Sequence, residues 1–186
     1  MPSFEDALKL MEEWTPSENL RRHMRAVEVA MRAYALKFGQ DQDKWAITGV
    51  LHDFDWEKYP ETHPFKGVEF LREQGYAQDV LEAILGHVDK PEYPRDSLMS
   101  KALFAVDEIT GLIIAAVYVR PDKSINGLEL SSLKKKFKDK AFAKGVDREG
   151  LVRAAEELGV LLDEHMQFVL EAMKYRAALL GLSGGV

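Results

Sequence analysis

The sequence predicts an all-α fold, on two observations. Apolar residues recur at helical spacing through nearly the whole chain, and no stretch shows the strict alternation of a half-buried strand. Phe4 to Trp14 reads as a first helix stopped by Thr15-Pro16, and Ser17 is a good N-cap for a long second helix ending at Gly39. Asp41 caps a third helix running to about Asp53. After the turn-rich segment Tyr59 to Pro64, a fourth helix has Pro64 near its first turn and stops at Gly75, and Ala77 to Val88 makes a fifth. Pro91 and Pro94 keep the next segment non-helical, so a long apolar helix starts at Asp96 or Ser97 and runs to about Val119 before Arg120-Pro121. Ser131 to Phe142 is a short lysine-rich helix, Asp147 caps another ending near Gly159, and Val160 to Leu180 precedes a glycine-rich tail, Gly181 to Val186.

At 186 residues the expectation is one domain, with 17–119 as its core and 120–186 as C-terminal helices packing on it. Residues counted as hydrophobic make up 46% and charged groups 30%, which excludes disordered and collagen-like classes. Cysteine is absent, so disulfides, iron–sulfur clusters, thiolate zinc sites and cysteine nucleophiles are excluded, and any metal must sit on nitrogen and oxygen. A net charge of −6 argues against a general nucleic-acid partner. The first residues lack a basic region followed by an apolar run, and Leu112 to Val119 is far short of the roughly 20 residues a bilayer needs. The expected setting is cytoplasmic, without membrane attachment.

Chemistry concentrates in four inward-facing polar residues. His52 and Asp53 follow an apolar turn, where burial without partners costs on the order of 1–3 kcal/mol for a neutral group and more for a charge. The neighbours of His23 at helical spacing are Leu20, Ala26, Val27 and Ala30, so its ring points inward, while Arg21, Arg25, Glu28 and Arg32 are expected on the exposed face. Asp107 lies among Leu103, Phe104, Val106, Ile109 and Ile113, with the small Thr110 and Gly111 leaving room beside it. Each alone reads as a hydrogen-bonded core group, but together two imidazoles and two carboxylates suit Mn, Fe, Co, Ni, Zn or Mg without selecting one. His165, among Leu161, Leu162, Phe168 and Val169, is expected to be a core histidine.

The order His23, His52-Asp53, Asp107 resembles the H…HD…D pattern of the HD superfamily of metal-dependent phosphohydrolases, over Ser17 to about Val119. His23 and His52 are 29 positions apart, a spacing typical of that superfamily, as is the helical setting of Asp107. The stretches Leu51 to Glu57 and Lys101 to Glu108 resemble a bacterial subgroup usually labelled predicted HD hydrolases. Many relatives follow the doublet with a small residue and a lysine; here Phe54-Asp55-Trp56-Glu57 follows, so no lysine role carries over.

The resemblance implies that His23, His52, Asp53 and Asp107 hold one divalent metal, and that Asp53 bridges to a second where further histidines are present. His63 and His87 are the candidates; the alternatives are a helix-start cap for His63 and a substrate-binding hydrogen-bond role for His87. A divalent metal lowers the pKa of bound water toward about 7 and polarises a phosphoryl oxygen, so no protein nucleophile is needed. Asp55 and Glu57 are candidate proton carriers, against the alternative of solvated loop acids. Arg22 could steady a phosphate or pair with Glu18. Lys134 to Lys138, with Lys140, Lys144 and Arg120, is the one basic concentration and could draw in an anion or simply be a solvated face. Arg120 lies about 20 Å of helix beyond Asp107, so it serves the metal only if the chain folds back or a partner subunit supplies it.

The expected activity is hydrolysis of a nucleotide or other small phosphate ester. The alternatives are a di-iron oxygenase of the same fold, or a metal- or nucleotide-binding regulatory domain without turnover. Met166 to Leu182 is apolar enough to cover the core or a homodimer partner, and periodicity does not separate these.

Overall fold

A capping box opens the first helix: Ser3 Oγ accepts from the Asp6 amide, and the Asp6 carboxylate accepts from the Ser3 amide. In this computed structural model, which describes residues 1–184, the helices are α1 (Phe4–Trp14), α2 (Glu18–Lys37), α3 (Gln42–Leu51), α4 (Phe65–Glu73), α5 (Gln78–Gly86), α6 (Leu98–Tyr118), α7 (Leu130–Lys138), α8 (Arg148–Leu158) and α9 (Leu162–Tyr175). Gly185 and Val186, the end of the expected tail, lie outside the described residues. Among those described there is no strand, only an isolated bridge between Ser124 and Ser183, and the fold is all-α as expected. No helix among them is long and apolar enough to cross a membrane.

The expected stops and caps are present. Ser17 caps α2 through the Leu20 amide, Asp41 caps α3 through the Asp43 and Lys44 amides, and Asp147 caps α8 through the Gly150 amide. Gly39, Gly75 and Gly159 take the left-handed conformation after their helices. The lysine-rich helix is shorter than its periodicity suggests, ending at Lys138 rather than near Phe142. The Arg148 guanidinium explains this by gathering the carbonyls of Phe137, Asp139, Phe142, Ala143 and Val146, which fixes 139–146 as a loop. The last helix ends at Tyr175, after which the chain turns and the Ile125 amide donates to the Leu182 carbonyl.

The chain divides into two compact units, Met1–Phe104 and Ala105–Val186, with the boundary inside α6. In the first, α3 lies directly on α2: a Cβ added at Gly49 would come 2.9 Å from the Glu28 Cα. That approach overturns one expectation, because Glu28 is 3% exposed rather than on the solvent face. Its carboxylate meets Arg32 at 2.6 Å and Arg25 at 3.3 Å, so the buried charge is compensated. Trp14 closes α1 onto Phe54 and Phe70, with ring centroids at 4.9 and 4.6 Å, and thereby anchors the turn after α3. In the second unit, Leu133 of α7 and Val169, Leu170 and Met173 of α9 are buried, and Lys134 pairs with Asp163. His165 is fully buried and shares a 2.7 Å hydrogen bond with the Ala105 carbonyl, in keeping with a core histidine.

Candidate metal centre

The first unit brings four histidines around one carboxylate. His23 comes from α2, His52 is the C-cap of α3, Asp53 follows it, His63 precedes Pro64 at the start of α4, and His87 is the C-cap of α5. The close packing of α2 on α3 at Gly49 sets the His23 and His52 rings 5.2 Å apart.

Asp53 divides its oxygens between two pairs of rings. Oδ1 lies 3.2 Å from His63 Nε2 and 3.4 Å from His87 Nε2, and those two nitrogens are 3.2 Å apart. Oδ2 lies 3.4 Å from His52 Nε2 and 3.9 Å from His23 Nε2.

The other ring nitrogen of three histidines is committed to an acceptor. His52 Nδ1 donates to the Gly49 carbonyl at 2.8 Å, His87 Nδ1 to the Ile84 carbonyl at 2.5 Å, and His63 Nδ1 to Asp55 Oδ1 at 2.6 Å. A neutral imidazole that donates from Nδ1 presents a lone pair at Nε2, so with both rings neutral His63, His87 and Asp53 direct three acceptors at one point. A cation at that point would be met by all three. Ligand atoms about 2.1 Å from one ion are roughly 3.0 Å apart in an octahedron and 3.4 Å in a tetrahedron, so the observed separations fit a metal polyhedron. The backbone carbonyls and Asp55 stand where the outer partners of histidines on a metal would stand.

In the metal-free chain the same groups share protons instead. Burial acts to raise the Asp53 carboxyl, but the charge and hydrogen bond of His52, with the hydrogen bonds of His63 and His87, outweigh it and hold the group well below the ordinary carboxylate range. Burial acts to lower His63, yet Asp53 and Asp55 outweigh it and push the ring up to about 9.

The other anticipated residues take varied places. Asp55 is 1% exposed and accepts from His63 Nδ1 and, at 2.7 Å, from the Gly67 amide. Glu57 Oε2 accepts from the Ser17 amide at the start of α2. Arg22 Nη1 donates to Asn19 Oδ1 at 3.4 Å. In the second unit, Asp107 lies half-buried on α6 with its own carbonyl accepting from Thr110 Oγ1. Arg120 grips Asp122 with two 3.0 Å bonds, and Lys134 faces Asp163.

Gly49 and Gly67 carry parts of the centre that reasoning from the sequence missed. Gly49 supplies the carbonyl for His52, and its position three residues before that histidine was the available signal. Gly67 supplies an amide to Asp55 across 12 residues, for which periodicity holds no signal.

A family model described as HD domain matches residues 20–116, just over half of the chain. No curated protein and no solved structure matches it.

Proposed function

We propose, since the chain belongs to the HD domain family, that it is a metal-dependent phosphohydrolase acting on a nucleotide or other small phosphate ester. The observation that carries this reading is the Asp53 carboxylate, with one oxygen toward His63 and His87 and the other toward His52 and His23. His63, His87 and Asp53 would hold one divalent ion. His23, His52 and the second oxygen of Asp53 would hold another, and the family's motif order adds Asp107 to that set. The chemistry such an ion supplies when bound is Lewis acidity toward a phosphoryl oxygen and a lowered pKa for water.

The chain's own residues then have distinct tasks. Asp53 fixes the separation of the two histidine pairs. The carbonyls of Gly49 and Ile84 keep Nε2 of His52 and His87 free of a proton. Arg22, one residue before His23, is assigned to a phosphate oxygen, where a planar cation suits the developing charge. Arg120 and Lys134 already face carboxylates and receive no role.

The test is phosphate release from a panel of nucleotides and phosphomonoesters, using protein stripped of metal and then reloaded with Mn, Co, Ni, Zn, Fe or Mg singly. Release that depends on metal and is lost in His52→Ala supports the reading; intact esters with every metal refute it. The four histidines around one carboxylate also favour a second reading, a di-iron oxygenase. That protein would purify with two irons, consume oxygen and leave phosphate esters intact. Metal binding with neither activity would indicate the regulatory domain.

A further inference from the structure

Asp55 lies two residues beyond Asp53 but does not face the convergence point of the three acceptors. Its carboxylate is buried, with Oδ1 on His63 Nδ1 at 2.6 Å and Oδ2 on the Gly67 amide at 2.7 Å. Gly67 is the third residue of α4, whose N-cap Pro64 provides no side-chain cap. Amides in a first helical turn lack intrahelical partners and carry the positive end of the helix dipole, so a carboxylate is favoured there. Gly67 also provides the space: an added Cβ would lie 2.6 Å from the Asp55 Cγ. The α4 N-terminus thus holds Asp55, and Asp55 holds the His63 ring.

We propose, resting on the metal-dependent reading above, that Asp55 is a positioning residue which fixes His63 with its proton on Nδ1 and so makes Nε2 a metal ligand. The consequence is specific to a tautomer. A side chain at 55 that offers an N–H to His63 Nδ1 moves the ring proton to Nε2, where it opposes any cation shared with Asp53 and His87. Asp55→Asn does this with little change of shape: the amide must satisfy the Gly67 N–H with its oxygen, which turns its NH2 toward His63. Outer partners of metal-bound histidines typically contribute about 10–100-fold to metal affinity.

The test uses zinc, which is diamagnetic, on full-length protein labelled with 15N at histidine. In the wild type, His63 is expected to carry its proton on Nδ1 and to ligate zinc through Nε2. Asp55→Asn is expected to carry the proton on Nε2 and to bind zinc about 10–100-fold more weakly at that position. A purely structural role for Asp55 would lower thermal stability without moving the tautomer. The inference is overturned if Asp55→Asn keeps the Nδ1 proton and the wild-type zinc affinity. It is equally overturned if the wild-type ring carries its proton on Nε2, a result that stands even if the variant fails to fold. A wild type that takes up no metal overturns the functional reading instead. In that event the wild-type tautomer of metal-free protein at alkaline pH decides the present inference by itself.

Discussion

Asp53 Oδ1 and His63 Nε2 stand 3.2 Å apart although they are ten positions apart in the sequence, because Asp55 and the α4 N-terminus hold the His63 ring against the end of α3. The Asp53 carboxylate reaches both histidine pairs, Oδ1 on His63 and His87 and Oδ2 on His52 and His23. Replacing Asp53 by alanine should therefore remove bound metal and lower phosphate release by at least about a hundredfold, read by metal mass spectrometry and a phosphate assay on one preparation. Asp107→Ala should weaken metal on the His23 and His52 side if the motif order assigns it correctly, and an unchanged metal count would remove it from the ligand set.

The pH dependence of metal-free stability follows from His63. Its ring is pushed from an ordinary value of 6.5 up to about 9 in the folded chain. A raised folded value means a contribution fully present below the unfolded value near 6.5 and lost as pH rises through about 9. The chelated protein should therefore lose melting temperature across that window, and His63→Gln should flatten the slope. Asp53 has the opposite sign: its contribution is present above the ordinary carboxylate range and fades as pH falls.

Gly49→Ala tests how the centre is built. A Cβ there meets the Glu28 backbone at 2.9 and 3.0 Å, so α3 must move away from α2. The expected cost is about 1–3 kcal/mol of stability, with weaker metal binding because His23 and His52 separate. Thermal unfolding and metal titration check the two effects independently.

Much of this architecture was legible before any coordinates, because caps and breakers are local. Ser17, Asp41, Asp147 and the glycines at 39, 75 and 159 mark the helix ends. Two features were not legible because their causes lie far along the chain. Arg148 shortens α7 from ten residues beyond its end, and the approach of α3 at Gly49 buries Glu28. The centre divides the same way. His52 and Asp53 stand out as an adjacent pair, whereas His63 and His87 had equally good local explanations. Only tertiary structure brings both to Asp53 Oδ1.

Trp14 should matter to the site through packing alone. Its ring lies against Phe54, the residue between Asp53 and Asp55, and against Phe70. Trp14→Ala is expected to cost about 3–5 kcal/mol and to be visible as a large drop in melting temperature.

Arg120 gives a negative prediction. Its guanidinium is engaged by both carboxylate oxygens of Asp122, so Arg120→Ala should leave KM for a phosphate ester within about twofold. A KM raised tenfold would restore it as a substrate contact.

The most direct test is the metal content of protein purified without chelator or added metal, measured by mass spectrometry for the wild type and for Asp53→Ala. The account predicts at least one divalent transition metal per wild-type chain and its loss in the variant. A wild type without metal that also takes none from solution, or a variant that retains the full complement, would contradict it.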